Sequence, residues 1–147
     1  MSAKILAVCL SDNKGEQKTP VEKISLREEH GVVGDAHAGD WHRQVSLLAN
    51  ESVEKMRMKG LDVGPGAFGE NLLTSGIELT TLPVGAQLTV GETLLEVTQI
   101  GKECHTRCAI YHQAGECVMP NEGIFARVLR GGHVVPGSLV SVLPATD

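Results

Sequence analysis

Apolar residues in this chain recur in short runs cut off by Gly or Pro, a pattern that favours many brief strands over long helices. The runs are Ile5 to Leu10, Val45 to Ala49, Leu88 to Val90, Leu94 to Ile100, Ile124 to Leu129 and Leu139 to Leu143. They are built mainly of Val, Leu and Ile and bounded by turn residues, as strands are. The 17 Gly and 6 Pro supply the turns, and an aromatic share of only 3% leaves the core to aliphatic side chains. The exception is Glu51 to Lys59, which reads as a helix. Asn50 is placed to cap its start, Gly60 to end it, and Glu51 stands four residues before Lys55. A second short helix or irregular loop is expected over Cys104 to Ala114, and the polar stretch Ser11 to Thr19 reads as an exposed loop. Strands of this number and brevity satisfy their edges best by closing on themselves. The expected fold is therefore mostly β, a barrel-like single domain over residues 1–147 with one or two short helices. Function would then sit at a mouth, on loops.

Charge narrows the partners. Lys plus Arg is 13 and Asp plus Glu is 18, a formal net charge of -5, so the chain lacks the basic field of a nucleic-acid binder. A local anion site is still compatible with that balance. The apolar run after Met1 is short for a signal peptide, and no segment reaches the length of a membrane span. A cytoplasmic protein without membrane contact is the expectation. The four cysteines, at 9, 104, 108 and 117, do not space like a secreted disulfide framework. That leaves reactive thiols, metal ligands or packing.

The segment Gly101-Lys102-Glu103-Cys104-His105-Thr106-Arg107-Cys108 sets two thiols among cations directly after a strand-like run. Nearby Lys102, His105 and Arg107 favour the thiolate, the reactive form of cysteine. Burial as small packing residues is the alternative for both sulfurs. Zinc is a third reading, with Cys104, Cys108 and Cys117 joined by His105 or His112. A further metal-capable group, Asp35, His37, Asp40 and His42, lies in one loop, where solvated turn residues or ligand hydrogen-bonders explain it more simply. The spacing Gly64-x-Gly66-x-x-Gly69 imitates a dinucleotide fingerprint but follows a helix end instead of a strand. A turn that lets a ligand approach the backbone, with Glu70 and Asn71 offering hydrogen bonds, fits it better. In the later strand, Arg127 and Arg130 suit phosphate capture, and plain alternation would turn them to opposite faces.

The order of these pieces resembles the MOSC domain, named for the C-terminal domain of molybdenum-cofactor sulfurase. The resemblance runs through Gly34-Asp35-x-His37, Gln44-Val45-Ser46-Leu47-Leu48 and Gly66-x-x-Gly69-Glu70-Asn71-Leu72. It continues through Leu82-x-x-Gly85-x-x-Leu88-x-Val90-Gly91, Leu95-Glu96-Val97-Thr98 leading to Cys104, and Gly123-Ile124-Phe125-Ala126-Arg127-Val128 with Gly132 and Gly137. It implies a barrel-like fold and a function tied to the molybdenum cofactor (molybdopterin) or to sulfur carriage. In such a protein Cys104 would carry sulfur or ligate molybdenum; Cys108, a thiol additional to the family pattern, would be a resolving thiol if a helical turn brings the two to one face. Arg127, Asn71, Glu70, His37 and Lys102 would bind the cofactor. The activities implied are sulfur transfer or a part in a molybdenum-dependent reductase. Pyridoxal phosphate belongs to another domain of the fused sulfurases and is not expected in this chain. A separate cysteine desulfurase would then be the sulfur donor, and a molybdenum enzyme or cofactor-biosynthesis protein the partner. The alternative is a non-catalytic adaptor, cofactor-presenting or zinc-stabilised.

Overall fold

The computed structural model describes residues 3–11, 18–35, 38–39, 44–60, 64–66, 68, 70–100 and 123–143. Eleven strands are described: β1 (Ala3–Leu10), β2 (Thr19–Val21), β3 (Ile24–Arg27), β4 (Gly31–Val32), β5 (Val45–Ala49), β6 (Leu72–Ser75), β7 (Gln87–Val90), β8 (Thr93–Ile100), β9 (Ile124–Arg130), β10 (Gly132–Val134) and β11 (Leu139–Val142). The helix α1 spans Asn50–Met58, and a 3-10 turn spans Leu79–Thr81. The proposed second helix, over Cys104 to Ala114, lies outside the described residues.

Seven strands close a barrel in the order β1-β6-β5-β9-β8-β7-β11 and back to β1. Closure is possible because one edge of β1 serves two neighbours. Ala3 and Lys4 pair with Val140 and Leu139 of β11, while Val8 to Leu10 pair with Val21 to Thr19 of β2. Every barrel pairing is antiparallel except β5 with β6, which is parallel. That exception follows from α1, since a parallel neighbour needs a crossover and the helix provides it. A second sheet, β10-β3-β4, lies beside the barrel and adds Ile24, Leu26, Val32 and Val134 to the same core.

Alternation along the strands fills the interior. Ile5, Val8, Val45, Leu47, Leu72, Leu88, Leu95, Ile124, Ala126 and Val128 form its aliphatic core. Each fully buried large side chain stabilises the fold by about 1.5–3 kcal/mol relative to exposure. A second cluster lies under α1, where Val53 and Met56 meet Ala7, Cys9, Leu48, Phe68, Leu73 and Phe125.

Two local expectations change. Asn50 is the first residue of α1 and not its cap: Ala49 holds the cap position, with no side-chain bond to the helix. The carboxylate of Glu51 accepts the backbone N–H of Gly76 at 3.0 Å. Gly60 does end the helix, with φ of 92°. Finally, Arg127 and Arg130 do not face apart. The register slips so that Leu94 pairs with Arg130 but Leu95 with Val128, leaving Leu129 as an extra residue. Such a bulge restores the alternation one residue late, and both arginines share the outer face with Leu94 and Glu96.

Candidate functional site

Because β5 and β6 run parallel, their starts lie at one end of the barrel, and the end of antiparallel β1 joins them there. Chain topology thus gathers Gln44 to Ser46, Glu70 and Asn71, and Cys9 to Ser11. Asn71 ties these three strands together. Its side-chain Nδ2 donates to the Cys9 carbonyl at 3.1 Å, and its Oδ1 accepts from the Ser46 N–H at 3.0 Å and the Ser46 hydroxyl at 3.1 Å. Its backbone N–H donates to Ser46 and its carbonyl accepts from the Cys9 N–H at 2.8 Å.

Glu70 is fully buried and shapes the loop before it. One carboxylate oxygen accepts the Gly66 N–H at 2.7 Å and the other the Phe68 N–H at 3.2 Å. Burial pushes the Glu70 carboxyl above its ordinary value, against the pull of those N–H groups and of Lys18. Gly66 adopts φ of 86°, and a Cβ there would collide with the Lys18 carbonyl oxygen. Only glycine lets the two backbones approach so closely.

Lys18 and Asp35 complete the cluster. The ammonium donates to Asp35 Oδ1 at 2.8 Å and to the Ser11 hydroxyl at 3.4 Å, and the Ser11 N–H donates to the same carboxylate oxygen at 2.9 Å. Side-chain exposure of the pair is 1% and 0%, so both charges are withdrawn from water. This corrects two expectations. Of the described residues in the polar stretch Ser11 to Thr19, Ser11 and Lys18 are buried, while Thr19 is exposed and opens β2. Asp35 is likewise no solvated turn residue. A charge can be buried where a partner and further hydrogen bonds replace its water, which the Lys18–Asp35–Ser11 contacts do.

Cys9 lies beside this cluster, fully buried, as its apolar strand pattern predicts. Burial, reinforced by the nearby Glu70 carboxylate, pushes its thiol up to about 12. It is therefore an inert thiol at neutral pH.

Arg127 lies on the outer face, half-exposed, where its Nε donates to Glu96 at 2.9 Å and its guanidinium stands 3.7 Å from Glu29. The Nε of Arg130 donates to the Glu92 carbonyl at 3.1 Å. Gln44, read only as part of a motif, is buried and accepts the Val128 N–H at 2.9 Å, locking β5 to β9. Cys104, Cys108, Lys102 and His37 lie outside the described residues, as do His105, His112, Cys117, Asp40 and His42. The segment with the three later cysteines joins the barrel at Ile100 and Ile124, which are cross-strand partners. Among the described residues no group of three or more His, Cys, Asp or Glu is arranged to hold a metal. No described helix is long and apolar enough to cross a membrane.

Sequence reading named Glu70, Asn71 and Arg127 but missed Lys18 and Ser11. A lysine at the end of a polar stretch looks like any surface lysine. Its burial depends on Asp35, seventeen residues away, and no local signal announces that pairing.

The model of the MOSC domain matches residues 34–145, most of the chain and every barrel strand but β1. The chain belongs to the MOSC domain family. Its barrel is similar in fold to that of the YuaD protein of Bacillus subtilis, with a TM-score of 0.80 and 20% identity over 97% of this chain and 96% of that one. YiiM of Geobacillus stearothermophilus gives 0.71 and 19% identity over 97% of this chain and 75% of that one. YiiM of Escherichia coli gives 0.70 and 21% over 100% and 72%. At these identities the likeness is one of fold. No curated protein matches the chain in sequence.

In this MOSC domain the described donors at the barrel end are already committed. The N–H groups of Gly66 and Phe68 serve Glu70, and both ends of the Asn71 amide serve the backbone. The buried hydroxyl without a partner among the described residues, Thr74 Oγ1, belongs to mid-β6 and not to this loop. These barrel-end groups, as they stand, offer a molybdenum cofactor no uncommitted donor.

Proposed function

We propose that this MOSC domain carries sulfur for molybdenum enzymes and binds their molybdopterin-type cofactor, with Cys104 as the working thiol. The observation that supports this reading is the family match, which spans the barrel-end loops and the Cys104 segment in one stretch. Cys104, set among Lys102, His105 and Arg107, attacks the outer sulfur of a persulfide on a cysteine desulfurase. The new S–S bond forms as the donor's S–S bond breaks, and the donor thiolate leaves. Glu70 and Asn71 act here by shaping the loop backbone, and Arg127 would hold the cofactor's phosphate in place of a carboxylate partner.

The test loads reduced protein with a cysteine desulfurase and cysteine, then measures protein-bound sulfane sulfur in wild type, Cys104→Ser and Cys108→Ser. Loading is expected in wild type and absent in Cys104→Ser. A longer persulfide lifetime in Cys108→Ser identifies Cys108 as the thiol that displaces sulfide and forms a disulfide with Cys104. Loading that survives in Cys104→Ser moves the carrier role elsewhere.

A second reading, a non-catalytic adaptor, draws support from the commitment of the Glu70 and Asn71 groups to the backbone. Metal analysis with thiol titration separates the two: two or more protected thiols per zinc favour the adaptor, and a reactive, metal-free Cys104 favours the carrier.

A further inference from the structure

The buried ion pair is more than a local contact, because Lys18 is bonded at both its ends. Through its ammonium it holds Asp35 at 2.8 Å, at the end of the turn that follows β4. Through its backbone N–H it holds the Gly66 carbonyl at 2.8 Å, inside the 64–71 loop. Gly66 in turn donates to Glu70 at 2.7 Å, and the Gly66 backbone packs so tightly on Lys18 that no Cβ fits between them. A continuous chain of buried bonds thus runs from the Ser11 amide through Asp35, Lys18 and Gly66 to Glu70 and the Phe68 amide.

We propose that Lys18 is a positioning residue that clamps the 34–35 turn to the Gly66–Glu70 loop, so that a change at either one is transmitted to the other. Every link is buried, so none can be replaced by water without an opening of the whole unit. Loss of the Asp35 charge takes away the ammonium's 2.8 Å anionic partner in a site from which water is excluded, and the cation shifts. When it moves it draws residue 18 away from the Gly66 carbonyl. In the opposite direction, a change at Glu70 frees Gly66 and loosens the backbone against which Lys18 is seated. The clamp rests on the reading above only in making both loops parts of one ligand-facing unit, and its test uses no ligand. Failure of the clamp is therefore distinct from failure of sulfur loading.

Amide hydrogen exchange of the whole chain reads the coupling residue by residue. The reporters are the Gly66 and Phe68 amides on one side and the Ser11 amide on the other. The Val97 amide, bonded to the Ala86 carbonyl at 2.9 Å, is the barrel reference. Asp35→Asn is expected to speed exchange at Gly66 and Phe68 by about tenfold to a hundredfold, the equivalent of one lost charge-assisted bond. Glu70→Gln is expected to speed exchange at Ser11, with Val97 unmoved in both variants. A purely structural loss would accelerate Val97 together with the reporters, and that result overturns the clamp. So does acceleration confined to the mutated side. Where Asp35→Asn fails to fold, the double variant Lys18→Met with Asp35→Leu removes both buried charges together. Faster Gly66 and Phe68 exchange relative to Val97 then supports the clamp, and unchanged exchange overturns it.

Discussion

The two halves of β1 are held in place by opposite means. Ile5 and Val8 sit in an aliphatic interior, where any well-fitting apolar side chain of similar volume would serve. From Cys9 onward the strand is held by named partners: Asn71 bonds its backbone, and the Ser11 amide ends on Asp35. The apolar half draws its stability from area removed from water, a non-directional effect. The polar half depends on each donor meeting its acceptor, and a missing partner there leaves a desolvated group that costs more than the bond contributed. A fold can therefore be tolerant along most of a strand and unforgiving at its tip.

The sharpest break in that contrast is Lys18→Ala, which takes the cationic partner from the buried Asp35 carboxylate and is expected to cost about 3–5 kcal/mol. Urea denaturation reads it, and a loss under about 1 kcal/mol would mean that water reaches the pair. In the interior, Leu47→Ala is expected to cost about 2–5 kcal/mol by the same measurement, as transfer and cavity losses combine. Leu47→Met, which nearly conserves volume, is expected to cost under about 1.5 kcal/mol, the tolerance that the polar tip lacks.

A smaller effect separates the halves by pH. Burial raises the Glu70 carboxyl above 4.5 in the folded state, so the folded protein binds that proton more tightly than the unfolded chain. Its contribution to stability is complete below the unfolded value and is lost as pH rises through the folded one. Denaturation midpoints followed as pH rises from 4.5 should show this component in wild type and not in Glu70→Gln. Cys9 behaves alike at the alkaline end, its contribution fading between 9.0 and about 12. It should resist alkylation in the folded protein and react in urea.

The least effect is expected on the outer face. Arg127→Ala loses half-exposed ion pairs with Glu96 and Glu29, worth about 0–1 kcal/mol. A cost approaching that of Lys18→Ala would show that the outer face is as exacting as the barrel end.

The barrel was legible because its signals are local. Runs such as Val45 to Ala49 and Leu94 to Ile100 carry their own β propensity, and Gly60 ends the helix through its own freedom at positive φ. The short strands β2, β3, β4, β6 and β10 escaped notice, unlike the equally short β7 and β11, whose apolar runs stood out. Glu70, Asn71 and Arg127 were singled out by residue type and motif, yet their hydrogen-bond partners were not foreseeable.

By itself, then, the sequence determined a β-rich barrel of aliphatic core, one helix after β5, a buried Cys9 and membership in the MOSC family. Tertiary structure decided which charges are buried, that Lys18 answers Asp35 and Gly66, and that one extra residue, Leu129, turns Arg127 and Arg130 to the same face. The division has one physical cause. Apolar patterning acts through neighbours in the chain and through burial of any suitable surface, whereas a buried hydrogen bond or ion pair exists only once closure brings distant residues within about 3 Å of each other.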